Sequence, residues 1–162
     1  MANPAKGYIE IIGGGGVNYG SSGKLTFMYN PEEVSESYEV GWTSIKIPGL
    51  PLPIKQYVGG GEREISFTLQ LAMPNADPQD EESLMQVDLY IRDLYNLGMP
   101  MVPDEGNFQF YMPPILRLVM GNNVTTCVLT KVGVSRKFFD KNLNTTVAEV
   151  EVSFQQILIV NY

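Results

Sequence analysis

The clearest pattern along the chain is strict alternation of apolar and polar residues. Ile65, Phe67, Leu69 and Leu71 fall on one side, and Glu64, Ser66, Thr68 and Gln70 on the other. A period of two is that of a strand buried on one face only. It recurs near the carboxyl end, where Ala148, Val150, Val152 and Phe154 oppose Val147, Glu149, Glu151 and Ser153. The run 124–139 before it is rich in Val and Thr, and Asp140-Lys-Asn-Leu-Asn separates the two, so the whole predicts a long β-hairpin. Shorter strands are expected at 8–12 and 24–29, joined by a glycine-rich loop over 13–23 that should be mobile.

From Ser35 onward the apolar side carries Tyr38, Val40 and Trp42 and then switches to Ile45 and Ile47, which predicts a β-bulge across Thr43 and Ser44. Pro48, Pro51 and Pro53 each remove a ladder donor, so residues 48–61 are expected to form a shaped loop, and 47–61 a second mobile segment. One helix is signalled. Asp77 suits an N-cap with Pro78 at the first helical position, and Asp80, Glu81 and Glu82 complement the positive end of the macrodipole. Leu84, Val87, Ile91 and Leu94 form a stripe at helical spacing, and Gly98 with Pro100 ends it. In a β-rich chain such a stripe packs on a sheet or plugs a barrel end.

Composition narrows the function. Among 162 residues there is no histidine and one cysteine, which removes Ser-His-Asp triads, Cys-His pairs and His- or Cys-rich zinc sites. The length suits a single domain, 1–162, with a core large enough to stand without disulfides or metals. Cys127 reads as a small buried hydrophobe. The formal net charge of −7 repels phosphates and anionic membranes. The amino end has neither the apolar length of a membrane span nor a signal peptide, so a chain made in the cytoplasm, or part of something assembled there, is expected. Asn123-Val-Thr and Asn144-Thr-Thr fit the glycosylation pattern and read as loop residues in that setting.

The remaining motifs fail on spacing. Gly13 to Gly16 with Gly20, Gly23 and Lys24 suggest a phosphate loop, but Asn18 stands where its first glycine belongs and Leu25 where its Ser or Thr belongs. The carboxylate pairs Glu32-Glu33, Glu62 with Glu64, and Glu149 with Glu151 are candidates for acid and base work or for a metal. The last two pairs lie on the polar side of alternating strands, where solvated charge is the ordinary reading. The acidic run at 77–82 lacks the EF-hand spacing. Lys131, Arg136, Lys137, Phe138, Phe139 and Lys141 form a local basic and aromatic patch, expected at a hairpin tip that meets an acidic neighbour rather than nucleic acid. No catalytic, cofactor or metal residue is assigned.

Taken in order, Phe27-Met-Tyr-Asn-Pro-Glu-Glu-Val, then Trp42 leading to Ile47-Pro-Gly-Leu, then Gly59-Gly-Gly-Glu-Arg-Glu-Ile-Ser-Phe-Thr-Leu resemble the tube-type domain of contractile phage tails and related injection systems. Within that family the small baseplate tube-initiator or adaptor group is the most similar. Pro113-Pro114-Ile115 and the hairpin ending in Gln155-Gln156-Ile157 continue the likeness over most of the chain.

The resemblance implies a mainly β fold, a β-barrel or sandwich with one flanking helix, assembled as a homo-hexameric ring that lines a tail channel and joins hub or spike to tube. Asn30 and Pro31 would shape the turn after an early strand, and Gly59, Gly60 and Gly61 the approach to the next. Trp42, Arg136 and Lys137 complete the expected structural and interface residues. Larger members of the family often carry a LysM module, which is missing from this sequence. The implied partners are the tail tube protein and the baseplate hub or spike proteins, with DNA passing the lumen without specific binding. The implied setting is a virion tail or baseplate assembled in the bacterial cytoplasm, with no membrane partner. Two other readings stay open: the tail tube protein itself, and a small-ligand β-barrel using Tyr38, Trp42 and the Met-rich stretch 99–112.

Overall fold

A computed structural model describes residues 5–13, 23–73, 86–100 and 113–158. Seven strands form one antiparallel sheet: β1 (Tyr8–Gly13), β2 (Lys24–Thr26), β3 (Val34–Ile45), β4 (Ile54–Ala72), β5 (Ile115–Met120), β6 (Asn123–Phe139) and β7 (Thr145–Gln156). Their order across the sheet is β2-β1-β5-β6-β7-β4-β3. One helix, α1 (Gln86–Asn96), completes the described elements. The fold is mainly β, with a single flanking helix among the described residues.

The alternation read from the sequence sets the centre of this sheet. Ile65, Phe67, Leu69 and Leu71 of β4 lie opposite Phe154, Val152, Val150 and Ala148 of β7, and all eight are buried. Apart from the smaller Ala148, each such side chain contributes roughly 1.5–3 kcal/mol when fully removed from water. The sheet also curls. Phe27, just after the edge strand β2, sits with its ring centroid 5.5 Å from Phe67 of β4, which in turn stacks on Phe154 at 5.7 Å. Contact between residues from opposite ends of the strand order gives the core a second wall.

Helix α1 lies over the concave side of this sheet. Val87, Ile91 and Leu94 are buried, and Leu97 follows them into the core. Its polar residues tie it to two well-separated strands of the sheet, β7 and β2. Asp88 Oδ2 accepts the Thr145 amide N–H at 3.0 Å, and the Tyr90 hydroxyl donates to the Thr26 carbonyl at 2.9 Å. Burial first, and the Asp93 carboxylate second, hold the Tyr90 phenol above its ordinary pKa. The helix stripe is as expected from Val87 onward, whereas the expected cap and first turn, 77–84, lie outside the described residues, as do 14–22 and 101–112.

Two expectations are corrected. The shaped loop expected over 48–61 ends at Pro53: β4 begins at Ile54 and pairs with β3 from there. Glycines and prolines masked a strand that the partner strand imposes. The bulge expected at Thr43 and Ser44 is also displaced, because the register shifts lie between Tyr38 and Val40 and between Gly41 and Trp42. Of the two glycosylation-type asparagines, Asn144 is in the turn and Asn123 is the first residue of β6.

Candidate assembly surface

The β3–β4 hairpin has two halves of different character. Near the sheet, Val34 faces Phe67 and Glu36 faces Ile65, with β4 backed by β7 only from Glu64 onward. Beyond that point the two strands pair with each other alone, from Tyr38 opposite Arg63 to Ile45 opposite Ile54. This arm is uncovered on both faces. Trp42 remains 55% exposed although its ring packs edge-on against Tyr57 at 5.4 Å, and Ile45, Ile47, Leu52 and Val58 are exposed as well. An isolated two-stranded ribbon is marginal in water, and contiguous exposed apolar surface on a soluble chain marks a contact site. On its far side β3 has no partner strand among the described residues, which leaves a row of backbone donors and acceptors open.

Glycines permit the arm to leave the sheet. Gly59 sits at φ 141, a conformation other residues avoid. At Gly61 a Cβ would lie 2.5 Å from the Glu39 carbonyl oxygen, so the strands cross closer than any side chain allows. Gly60 completes this trio beneath the Tyr38 hydroxyl. At the tip, the Leu50 amide donates to the Ile47 carbonyl at 3.1 Å, and Pro48, Pro51 and Pro53 stiffen the turn by fixing φ.

At the base of the hairpin, Asn30 holds the turn after β2 to the amino-terminal segment. Its Oδ1 accepts from the Gly7 amide at 3.0 Å, and its Nδ2 donates to the Ala5 carbonyl at 2.9 Å. Pro31 follows it, half-buried. Beside them an open depression of about 590 Å³ is lined by Tyr29, Asn30, Glu32, Glu33, Ser35, Ser66, Phe67, Thr68, Gln70 and Glu151. Neither Tyr38 nor Trp42, the residues expected to line a ligand pocket, contributes to it.

A uniform antiparallel sheet bearing a long uncovered arm is a subunit shape that calls for neighbours. Comparison with known families matches residues 6–159 to the contractile injection system tube protein family. The chain belongs to that family. No curated protein matches it in sequence. Its role is therefore structural, as part of a tail tube assembly, and no helix among the described residues is long and apolar enough to cross a membrane.

In this tube-family chain, the basic residues expected to reach an acidic neighbour find it within the same molecule. Lys137 Nζ meets Glu149 Oε1 at 2.7 Å, Lys131 Nζ is 3.9 Å from Glu151 Oε1, and Arg136 Nε faces Asp88 Oδ1 at 3.4 Å. Arg136 and Lys137 thus point to opposite faces of β6, one toward the helix and the other toward β7. Pairing also accounts for Glu149 and Glu151, while Glu62 accepts from Gln155 Nε2 at 2.8 Å. Among the described residues no group of three or more His, Cys, Asp or Glu side chains could hold a metal. Cys127 is fully buried, and that burial, partly opposed by a backbone hydrogen bond at Leu118, pushes its thiol up to about 11. Such a thiol is unreactive at neutral pH.

Sequence reasoning missed Asp88 and Asp140. Asp140 Oδ1 accepts from the amides of Asn142 and Asn144, each at 2.8 Å, and Oδ2 accepts from Asn144 Nδ2 at 3.0 Å. The turn itself falls where the sequence puts it, and an Asp followed by Asn residues is the signal that could have found the carboxylate's part in it.

Proposed function

We propose that this chain forms a ring coaxial with the tail tube at its junction with the baseplate, where it connects hub or spike to tube and templates tube growth. The observation that carries this reading is the β3–β4 arm, uncovered on both faces and bordered by an unpaired strand edge. A closed ring supplies partners for such an edge and buries such a surface in every copy. Placement at the junction, and the number of six copies, rest on the likeness of the Phe27, Trp42 and Gly59 segments to the tube-initiator group. In this reading DNA or another cargo passes without specific binding, because a net charge of −7 repels phosphate. A salt-sensitive gel shift with DNA would count against that part.

The family description itself favours a second reading, in which the chain is the repeating tube subunit. Light scattering on purified protein, with negative-stain images of the same fraction, separates the two. Rings or short stacks support the junction, and long filaments growing spontaneously support the tube. A strict monomer that also fails to assemble on preformed tube ends overturns both and returns the small-ligand barrel as the leading explanation, to be checked by thermal stabilisation with apolar ligands.

A further inference from the structure

The arm tip and the depression at the hairpin base have complementary charge. Between residues 43 and 57 the charged side chains are Lys46 and Lys55, and no carboxylate accompanies them. Lys55 Nζ donates to Ser44 Oγ at 2.6 Å, and among the described residues Lys46 has no carboxylate partner. The depression is lined by Glu32, Glu33 and Glu151 and by no lysine or arginine. Of these three carboxylates only Glu151 is paired among the described residues, and weakly, at 3.9 Å from Lys131.

We infer that the proline-stiffened, cationic and apolar tip of one copy seats on the acidic depression of a second copy. The tip cannot serve its own depression. Ser35, on the depression rim, and Ile45, at the tip, stand at opposite ends of the same strand, and ten extended residues separate them by roughly 33 Å. The occupant must therefore come from another molecule, and the same tip and depression exist on every copy. A head-to-tail contact of this kind between unlike surfaces generates a ring when its rotation closes. The apolar side chains around Lys46 and Lys55, Ile45, Ile47 and Ile54 among them, would lie against the exposed Tyr29 ring at the depression.

This contact rests on the ring reading, and charge reversal tests it separately. The doubly reversed variants Lys46→Glu with Lys55→Glu, and Glu32→Lys with Glu33→Lys, are compared with the wild type and with all four changes combined in one chain. Oligomer mass is read by light scattering across a concentration series, with circular dichroism melts to verify folding. Each reversed pair should raise the concentration for half-assembly at least ten-fold with an unchanged melt, and the combined chain should recover most of that loss. Rings that ignore both reversals overturn this contact and leave the ring reading standing, as does a combined chain that stays as defective as its parents. A wild type that remains monomeric, alone and on tube ends, overturns the ring reading and this contact with it.

Discussion

Asp88 of the helix accepts the backbone amide of Thr145, the first residue of β7, at 3.0 Å. Thr145 is buried, so this carboxylate is what satisfies a donor that water cannot reach. Asp88→Ala should cost about 1–3 kcal/mol by leaving that N–H unpaired, and Asp88→Asn, which keeps an acceptor, should cost less. Arg136→Ala, which removes only the half-exposed ion pair at 3.4 Å, should cost under about 1 kcal/mol. Denaturant midpoints of the three variants check the order.

Leu143 is the one described non-glycine residue with positive φ, at 63°, and its side chain is 79% exposed. It therefore carries the backbone cost of a left-handed conformation with no packing in return. Replacing it by glycine should raise stability by roughly 0.5–1 kcal/mol, with Asn giving a smaller gain. A Leu143→Gly chain that melts below the wild type would show that the turn relies on the leucine in some other way.

In that same turn the Asp140 carboxyl sits below its ordinary range. Desolvation pushes it upward, but the hydrogen bonds from Asn144 and Asn142 outweigh that push. Because the folded value is depressed, the turn gains from the charged form above the unfolded pKa and loses that gain as pH falls through the folded one. The Asn142 and Asn144 amides should exchange faster with solvent as the pH drops below the usual aspartate range, after correction for intrinsic rates. Asp140→Ala should show the faster exchange at every pH.

Gly61→Ala places a methyl 2.5 Å from the Glu39 carbonyl oxygen and 2.8 Å from the Glu39 Cβ, where backbone must move. The strands of the arm should part locally at a cost of about 1–3 kcal/mol. Hydrogen exchange should quicken in residues 38–45 while β6 and β7 keep their protection. Uniform loss of protection would mean that the arm is not an independent unit.

Much of the body was legible because one face is buried and the other wet. Ile65 to Leu71 and Ala148 to Phe154 carry the alternation that burial requires, and the 140–144 turn falls where its asparagines put it. The β4 half of the arm hid for the converse reason: with solvent on both faces burial enforces no alternation, and Gly59, Gly60 and Gly61 resemble a loop. Arg136 and Lys137 were legible as a basic pair that strand alternation puts on opposite faces, but their partners Asp88 and Glu149 were not, since other elements bring these carboxylates to them. The Asp88–Thr145 bond joins residues 57 positions apart through a side chain on the polar face of a helix, and nothing local announces it.

Cys127 lies across from Leu116 on β5 and Gln156 on β7, sealed between two ladders. The chain therefore contains its own chemical clock. A thiol reagent can modify this residue only when β6 separates from its neighbours, and a chain with a single cysteine gives one signal to time. Run on free and assembled protein, the same reaction would measure how much assembly slows the opening of each subunit, with no label added to the arm.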